Sequence, residues 1–447
     1  MEPSKGEQRS NNPQPASPER RRVLLGLGAT GGAVVGVLNS GAVFGASAPT
    51  EAAPSLQEAD RRQPFYGLHQ SGVTTTRPAA GLVAAFDVLG TTRGDLERLL
   101  RKLTERIEFL TQGGPAPEID PKFPAPDSGL LGPVIAPGNL TMTVAFGASL
   151  FDKRFGLANA RPVHLERMPQ FPNDALEADS CHGDLLIQIC SDTPDTNIHA
   201  LRDIIRNTPD LLLLRWKVEG YNAPPRAANL PPLTPRNLLG FKDGTANPDP
   251  DDAAAMNRLV WVAPDSSEPA WAAGGSYQVV RIIRNYVERW DRTPLQEQQT
   301  IIGRDKMTGA PLAMTAEQDI PDYASDPKGE RIRLDAHIRL ANPRTPETQS
   351  SLILRRPYNY SRGVTKAGQL DMGLLFICFQ ANLREGFIAV QKRLNGEPLE
   401  EYIKPVGGGF FFAPPGAPAK GFYLGQSLLE ATEPTGDPAH STPRKSS

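Results

Sequence analysis

The sequence predicts an α+β fold built from two ferredoxin-like units in tandem, each an antiparallel sheet with helices packed on it. Three observations carry this. Between Phe65 and Tyr221 the apolar pattern reads strand, helix, strand, strand, helix, strand, the order of a split β-α-β sandwich. After a Pro-rich break at Ala223–Pro235 a similar series returns. The run GDLLIQICSD before one helix is echoed by MGLLFICFQAN before another, so one pattern is used twice, with long insertions in the second copy.

In the first unit, Leu82–Leu89 is an apolar strand. Thr91–Thr111 is a helix, because Leu96, Leu99, Leu100, Leu103, Ile107 and Leu110 recur at helical spacing. Leu140–Phe146 alternates as a strand and Asp184–Cys190 is a further strand. Asp195–Arg206 is a helix with Pro194 at a first-turn position, and Leu211–Val218 closes the set. In the second unit Ser276–Ile283, Ser351–Leu354, Gly373–Gln380 and Gly409–Ala413 are strands, while Pro294–Ile302 and Leu383–Leu394 are helices. The expected domains are 64–225 and 226–430, followed by a polar, disordered tail over 431–447.

The N-terminus reads as an address. A polar stretch precedes Arg20-Arg21-Arg22, then a Gly-rich apolar run to about Phe44 and a small-residue site at Ala46-Ser47-Ala48. Arg21-Arg22 followed by Leu24-Leu25 resembles a twin-arginine signal, with 1–48 removed and 49–63 a flexible leader. That route carries folded proteins, so it suits a chain that acquires a bulky cofactor first. The expected location is periplasmic, cell-surface or extracellular.

A length of 447 residues allows two domains, and a net charge of −2 gives no reason to invoke nucleic acid. Three cysteines make no disulfide framework and fit no zinc pattern. Cys190 and Cys378 read as small buried hydrophobes. Cys181 beside His182 supplies two ligands, too few for a metal site.

Six histidines are available as ligands. His440 lies in the tail, His199 in an amphipathic helix, and His69 and His164 in irregular or strand-edge segments. His337 stands in an apolar-flanked stretch ending at the turn Asn342-Pro343-Arg344. Arg355, directly after the apolar run 352–354, needs an anion or a cofactor to face. The loop Gly240–Pro248 (GFKDGTANP) presents Asp243 between glycines that let backbone approach a flat ligand.

That loop, followed by His337 and Arg355, resembles the dye-decolourising (DyP-type) haem peroxidases, and within them the bacterial branch of exported deferrochelatase/peroxidases. The segments 64–76, 146–157, 168–174, 183–210, 287–292 and 297–309 are similar to that branch too, so the resemblance runs from about Gln63 to Leu429. It implies haem b in the second of two ferredoxin-like domains. It implies His337 as the iron ligand and Asp243 and Arg355 as the catalytic pair on the peroxide side. Gly244, Thr245 and Ala246 would line the haem through backbone. Asn342, Pro343 and Arg344 would pack on its edge, Arg344 pairing with a propionate. A carboxylate should bond the other imidazole nitrogen, with Glu400 and Glu401 as candidates. Surface aromatics such as Trp216, Trp261, Trp271, Trp290 or Tyr360 would relay electrons from large donors, or simply pack.

The implied activity is reduction of hydrogen peroxide through a ferryl intermediate, with dyes, phenols or other one-electron donors oxidised. A second reading on the same scaffold is release of iron from haem with the porphyrin intact. A third is a non-enzymatic haem-binding protein. The implied partners are hydrogen peroxide, a reducing substrate, iron-uptake membrane components and the twin-arginine machinery. A homo-oligomer is compatible with all three readings.

Overall fold

The computed structural model describes residues 60–224 and 233–432. The expected signal segment, most of the leader, the boundary at 225–226 and nearly all of the tail lie outside the described residues. Among the described residues no helix is long and apolar enough to cross a membrane.

The first half contains β1 (Ala80–Val88), α1 (Arg93–Gln112), β2 (Thr141–Gly147), β3 (Leu185–Ser191), α2 (Pro194–Asn207) and β4 (Leu212–Tyr221). Its strands lie in the order β2-β3-β1-β4, all antiparallel. Local chemistry sets the helix ends. Thr92 and Asp95 form a reciprocal capping box at α1, and Thr193 caps α2 with Pro194 in its first turn.

The second half contains β5 (Ser276–Asn285), α3 (Leu295–Ile302), α4 (His337–Ala341), β6 (Leu354–Arg355), β7 (Tyr358–Val364), β8 (Leu370–Gln380), α5 (Ala389–Leu394) and β9 (Ile403–Ala413). Its order is β9-β5-β8, with β6 and β7 sharing the far side of β8. This matches the first half strand for strand, so the duplication is real.

The two sheets are not separate. β9 pairs with β2 (Phe411 opposite Gly147), β4 pairs with β7 (Tyr221 opposite Asn359), and β5–β8 completes the circuit. The strands therefore form one closed ring, which removes the exposed edges that two open sheets would carry. Closure explains why the strands read as continuous apolar runs. On β1, Leu82, Ala84 and Phe86 face outward to the helices, while Val83 and Ala85 face the ring interior with Trp216, Tyr358 and Phe411.

Two expectations change. The strand expected at Ser351–Leu354 is a 3-10 turn over Pro346–Ser351 followed by the two-residue β6. Pro357 has no N–H and interrupts the ladder, which β7 resumes in the same register on β8. The helix expected over Leu383–Leu394 divides into a wide turn, Arg384–Ile388, and α5. At Gly386 a Cβ would come within 2.9 Å of Gln380 Cγ, so the chain passes too close to β8 for a regular turn.

The halves differ in how helices meet sheet. In the first, Leu96, Leu99, Leu103 and Ile107 of α1 join β1 and β2 in one core. In the second, a cavity of about 260 Å³ remains between the sheet and the short helices. Ile283, Leu374, Phe376 and Ile403 form one side, and Ile302, Ile338, Phe387 and Val390 the other.

Candidate active site

His337 opens α4, a helix of five residues too short to stand alone. Neighbouring arginines hold it. Arg339 bonds the Asp326 carboxylate (3.2 Å), the Asp326 carbonyl (2.8 Å) and the Ile332 carbonyl (2.8 Å). Arg393 of α5 donates to the last carbonyls of α4, Leu340 (3.0 Å) and Ala341 (3.1 Å). Gly303, at φ +92°, lets the chain run against α4; a Cβ there would meet Ile338 Cγ1 at 2.7 Å.

The His337 Nδ1 lies 2.7 Å from Glu397 Oε2, a carboxylate whose side chain is 3 % exposed. Burial alone would lower the imidazole pKa, but the charge and hydrogen bond of Glu397 outweigh it and raise the pKa above its ordinary value. With Nδ1 engaged, Nε2 points to the cavity and makes no hydrogen bond among the described residues.

Asp243 and Arg355 line the same cavity and pair at 2.5 Å. A network fixes the loop that carries Asp243. Asn247 accepts from the Arg355 N–H (2.7 Å) and donates to the Arg355 carbonyl (3.1 Å), pinning the loop to β6. Glu317 accepts from Thr245 (2.9 Å) and from Thr234, and pairs with Lys242. Burial would raise the Glu317 pKa, but these donors hold it below its ordinary value. Beneath the loop, Trp290 Nε1 donates to the Leu239 carbonyl (2.8 Å) and its ring meets Phe241 edge-on. Gly244 sits at φ +135°.

A cationic wall completes the cavity. Arg304 is 6 % exposed and bonds the carbonyls of Gly309 (2.6 Å) and Glu317 (3.0 Å); burial lowers its pKa. Arg344, at φ +59°, has a buried Nε with no partner among the described residues. Arg281, 1 % exposed in the floor, is matched by Asp174 (Nη1 to Oδ2 3.1 Å).

Models of the Dyp-type peroxidase N-terminal and C-terminal regions match residues 70–222 and 234–418. A deferrochelatase of Escherichia coli O6:K15:H31 is 58 % identical over 416 residues, 92 % of this chain and 97 % of the relative. The chain belongs to the Dyp-type peroxidase family. A Shigella flexneri deferrochelatase is 57 % identical over 417 residues, again 92 % of this chain and 97 % of the relative. Among solved structures, ferric DtpA from Streptomyces lividans superposes with a TM-score of 0.76 at 37 % identity, over 85 % of this chain and 100 % of that one. A DyP-type peroxidase from Cellulomonas bogoriensis gives 0.74 at 36 %, over 83 % and 99 %.

Haem b is the cofactor of the Dyp-type peroxidases, and the residues here fit it. The cavity walls are mainly apolar, Nε2 of a carboxylate-held imidazole opens into it, and Arg344 Nε is an unpaired donor in its rim.

Most of the positions read from the sequence converge. Asp243, Gly244, Thr245, Ala246, His337, Asn342, Arg344 and Arg355 all line the cavity; Pro343 is not among its lining residues. The carboxylate behind His337 is Glu397, not Glu400 or Glu401. Glu397 precedes Pro398 with extended backbone and turns inward. Glu400 lines the cavity without bonding the imidazole, and Glu401 lies exposed beside Arg289 at 3.6 Å. The proposed surface relays are not on the surface: Trp216, Trp261, Trp271, Trp290 and Tyr360 are all under 8 % exposed. Three of them spend the indole N–H on backbone carbonyls, Trp216 on His182, Trp271 on Ala160 and Trp290 on Leu239, as packed tryptophans do. His199 is a core histidine outside the cavity: its Nδ1 lies 2.8 Å from Ser128 Oγ and its Nε2 3.6 Å from the Asp127 carboxylate.

Proposed function

We propose that the site reduces hydrogen peroxide and oxidises one-electron donors, with His337 Nε2 as the iron ligand and Asp243 and Arg355 as the catalytic pair. One observation carries this reading: an imidazole braced by a buried carboxylate opens into the same apolar cavity as an aspartate paired to an arginine. Haem b, when bound, supplies an iron that exchanges electrons with peroxide and with donors. Asp243 takes a proton from entering peroxide at its free carboxylate oxygen and returns it to the departing oxygen. Arg355 stabilises the negative charge that builds there and keeps Asp243 oriented. Glu397 fixes the imidazole tautomer so that Nε2 bears the lone pair.

The decisive experiment is the absorption spectrum of haem-loaded protein before and after peroxide, for wild type and Asp243→Asn. Haem content should be equal, and the spectral change at least about a hundredfold slower in the variant. Equal rates would remove Asp243 from the mechanism.

A second reading is release of iron with the porphyrin intact, favoured by the 58 % identity to a deferrochelatase. Two protons must replace the iron on the ring nitrogens, and Asp243 is an acid facing the cavity. Fluorescence of metal-free protoporphyrin after incubation with haem tests it; no fluorescence under conditions of active peroxide turnover rejects it.

A further inference from the structure

A second group of charges lies behind the Asp243 loop, and the cavity does not use it. Arg77, just ahead of β1, donates to the Pro357 carbonyl at 2.7 Å and lies 5.8 Å from the centre of the Tyr358 ring. Arg356, between β6 and β7, is 5 % exposed and donates through Nη1 to the Thr75 carbonyl. Cys190 of β3 and Tyr358 of β7, both fully buried, complete the group in the ring interior.

The Tyr358 side chain is held tightly. A Cβ at Gly81 or Gly220 would fall 2.6 or 2.5 Å from it. Among the described residues its hydroxyl is nevertheless buried with no partner but the Cys190 thiol, and Nε and Nη2 of Arg356 are buried with none.

The charges do not balance. Among the described residues neither Arg77 nor Arg356 forms an ion pair, and Asp243 already bonds Arg355. Asp243, Arg77 and Arg236 border one narrow crevice. Three guanidiniums, those of Arg77, Arg236 and Arg355, thus share one carboxylate, and Arg356 is close enough to Arg77 to repel it. Burial pushes the Cys190 thiol pKa up despite Arg356 and Arg77, so the thiol stays neutral and does not supply the missing charge. A buried guanidinium with open N–H groups needs an acceptor. Excess positive charge in a low-dielectric place favours an acceptor that is itself negative.

We propose that Arg77, Arg356 and Tyr358 form a binding site for a small monovalent inorganic anion of the halide class. Arg356 Nε and Nη2 and the Tyr358 hydroxyl are its donors, and Arg77 supplies the second positive charge. Tyr358 packs in the ring interior, which distinguishes this site from the haem cavity on the outer face.

Bromide is the probe. Crystals of haem-loaded protein grown in sodium bromide, measured at the bromine absorption edge, should show an anomalous peak in contact with Arg356 Nη2 and near Arg77. In solution, replacing gluconate by millimolar bromide at constant ionic strength should raise the Tm of wild type. Arg356→Gln should need at least tenfold more bromide for the same rise. If that variant does not fold, Arg77→Gln, at a half-buried position, is measured in its place. An absent peak overturns the proposal. So does a peak without any effect on Tm, which marks an adventitious ion only, and so does a bromide response unchanged in the variant.

Discussion

Asn247→Ala tests how Arg355 is held. The wild-type amide makes two bonds to the backbone of one residue, 2.7 Å from the Arg355 N–H and 3.1 Å to its carbonyl. Alanine removes both and leaves two partly buried backbone groups to find other partners. At about 0.5–1.5 kcal/mol net for each bond, the loss of stability should be about 1–3 kcal/mol. The functional loss has a different origin. Arg355 meets Asp243 through a single nitrogen, so freeing the β6 backbone moves guanidinium and carboxylate relative to one another. A displacement near 1 Å can slow a reaction about a hundredfold.

Two measurements separate these effects. Urea unfolding gives the stability change from the midpoint at constant slope, and stopped-flow spectra give the rate with peroxide at equal haem content. Asn247→Asp keeps the acceptor for the N–H and loses the donor to the carbonyl, so its stability should fall between wild type and alanine. If Asn247→Ala matched wild type in both stability and rate, the clamp would be incidental and the reasoning about Arg355 would fail.

Glu397→Gln removes the charge behind His337 and should weaken haem retention about 10- to 100-fold; retention equal to wild type in a transfer assay to an apo-globin acceptor would reject Glu397 as the bracing group. Glu317 has a folded-state pKa below its ordinary value, so it stabilises the loop above about pH 4.5 and that contribution is lost as pH falls through the depressed value. Glu317→Gln should therefore be less stable at neutral pH and show a flatter stability profile in acid, and an unchanged profile would contradict the assignment. Removing haem should lower Tm, since a ligand at about a hundred times its Kd adds about 2.7 kcal/mol. His337→Ala should reproduce most of that fall in the presence of haem, and an equal Tm with and without haem in wild type would place the cofactor elsewhere.

The fold was legible where burial is two-sided or periodic. The stripe Leu96, Leu99, Leu100, Leu103, Ile107, Leu110 marks α1 because that helix buries one face against β1 and β2. The strand β7 was missed because Tyr358-Asn359-Tyr360 gives way to the exposed Ser361-Arg362-Gly363, leaving too short an apolar signal. Ring closure was hidden because backbone pairing at β2–β9 and β4–β7 leaves no trace in side-chain pattern. In the site, Asp243, His337 and Arg355 stood out through the family resemblance that their motifs carry, whereas their supports did not. Asn247 resembles an ordinary Asn-Pro stop, and Glu317 lies 74 positions from the loop residue Asp243 in an irregular stretch. Glu397 differs from Glu400 and Glu401 only by the turn that Pro398 imposes.

The duplication also accounts for why one half is scaffold and the other carries the site. α1 and α2 run twenty and fourteen residues and lay a continuous apolar face on their sheet. Their counterparts α3, α4 and α5 run eight, five and six, too little to cover a sheet of the same width. The uncovered area is the cavity, and its walls cannot be held by apolar packing alone because the space between them is open. Arg339 on Asp326, Arg393 on the α4 carbonyls, Lys242 on Glu317 and Arg281 on Asp174 take over that task. Each of these side chains anchors backbone or a loop rather than another element's apolar face. Placement of His337 and Asp243 thus rests on hydrogen-bonded charges, while the ring beneath rests on hydrophobic burial. Substitutions in the ring should therefore appear first as lost stability, and substitutions in the charged ties first as lost haem or lost rate.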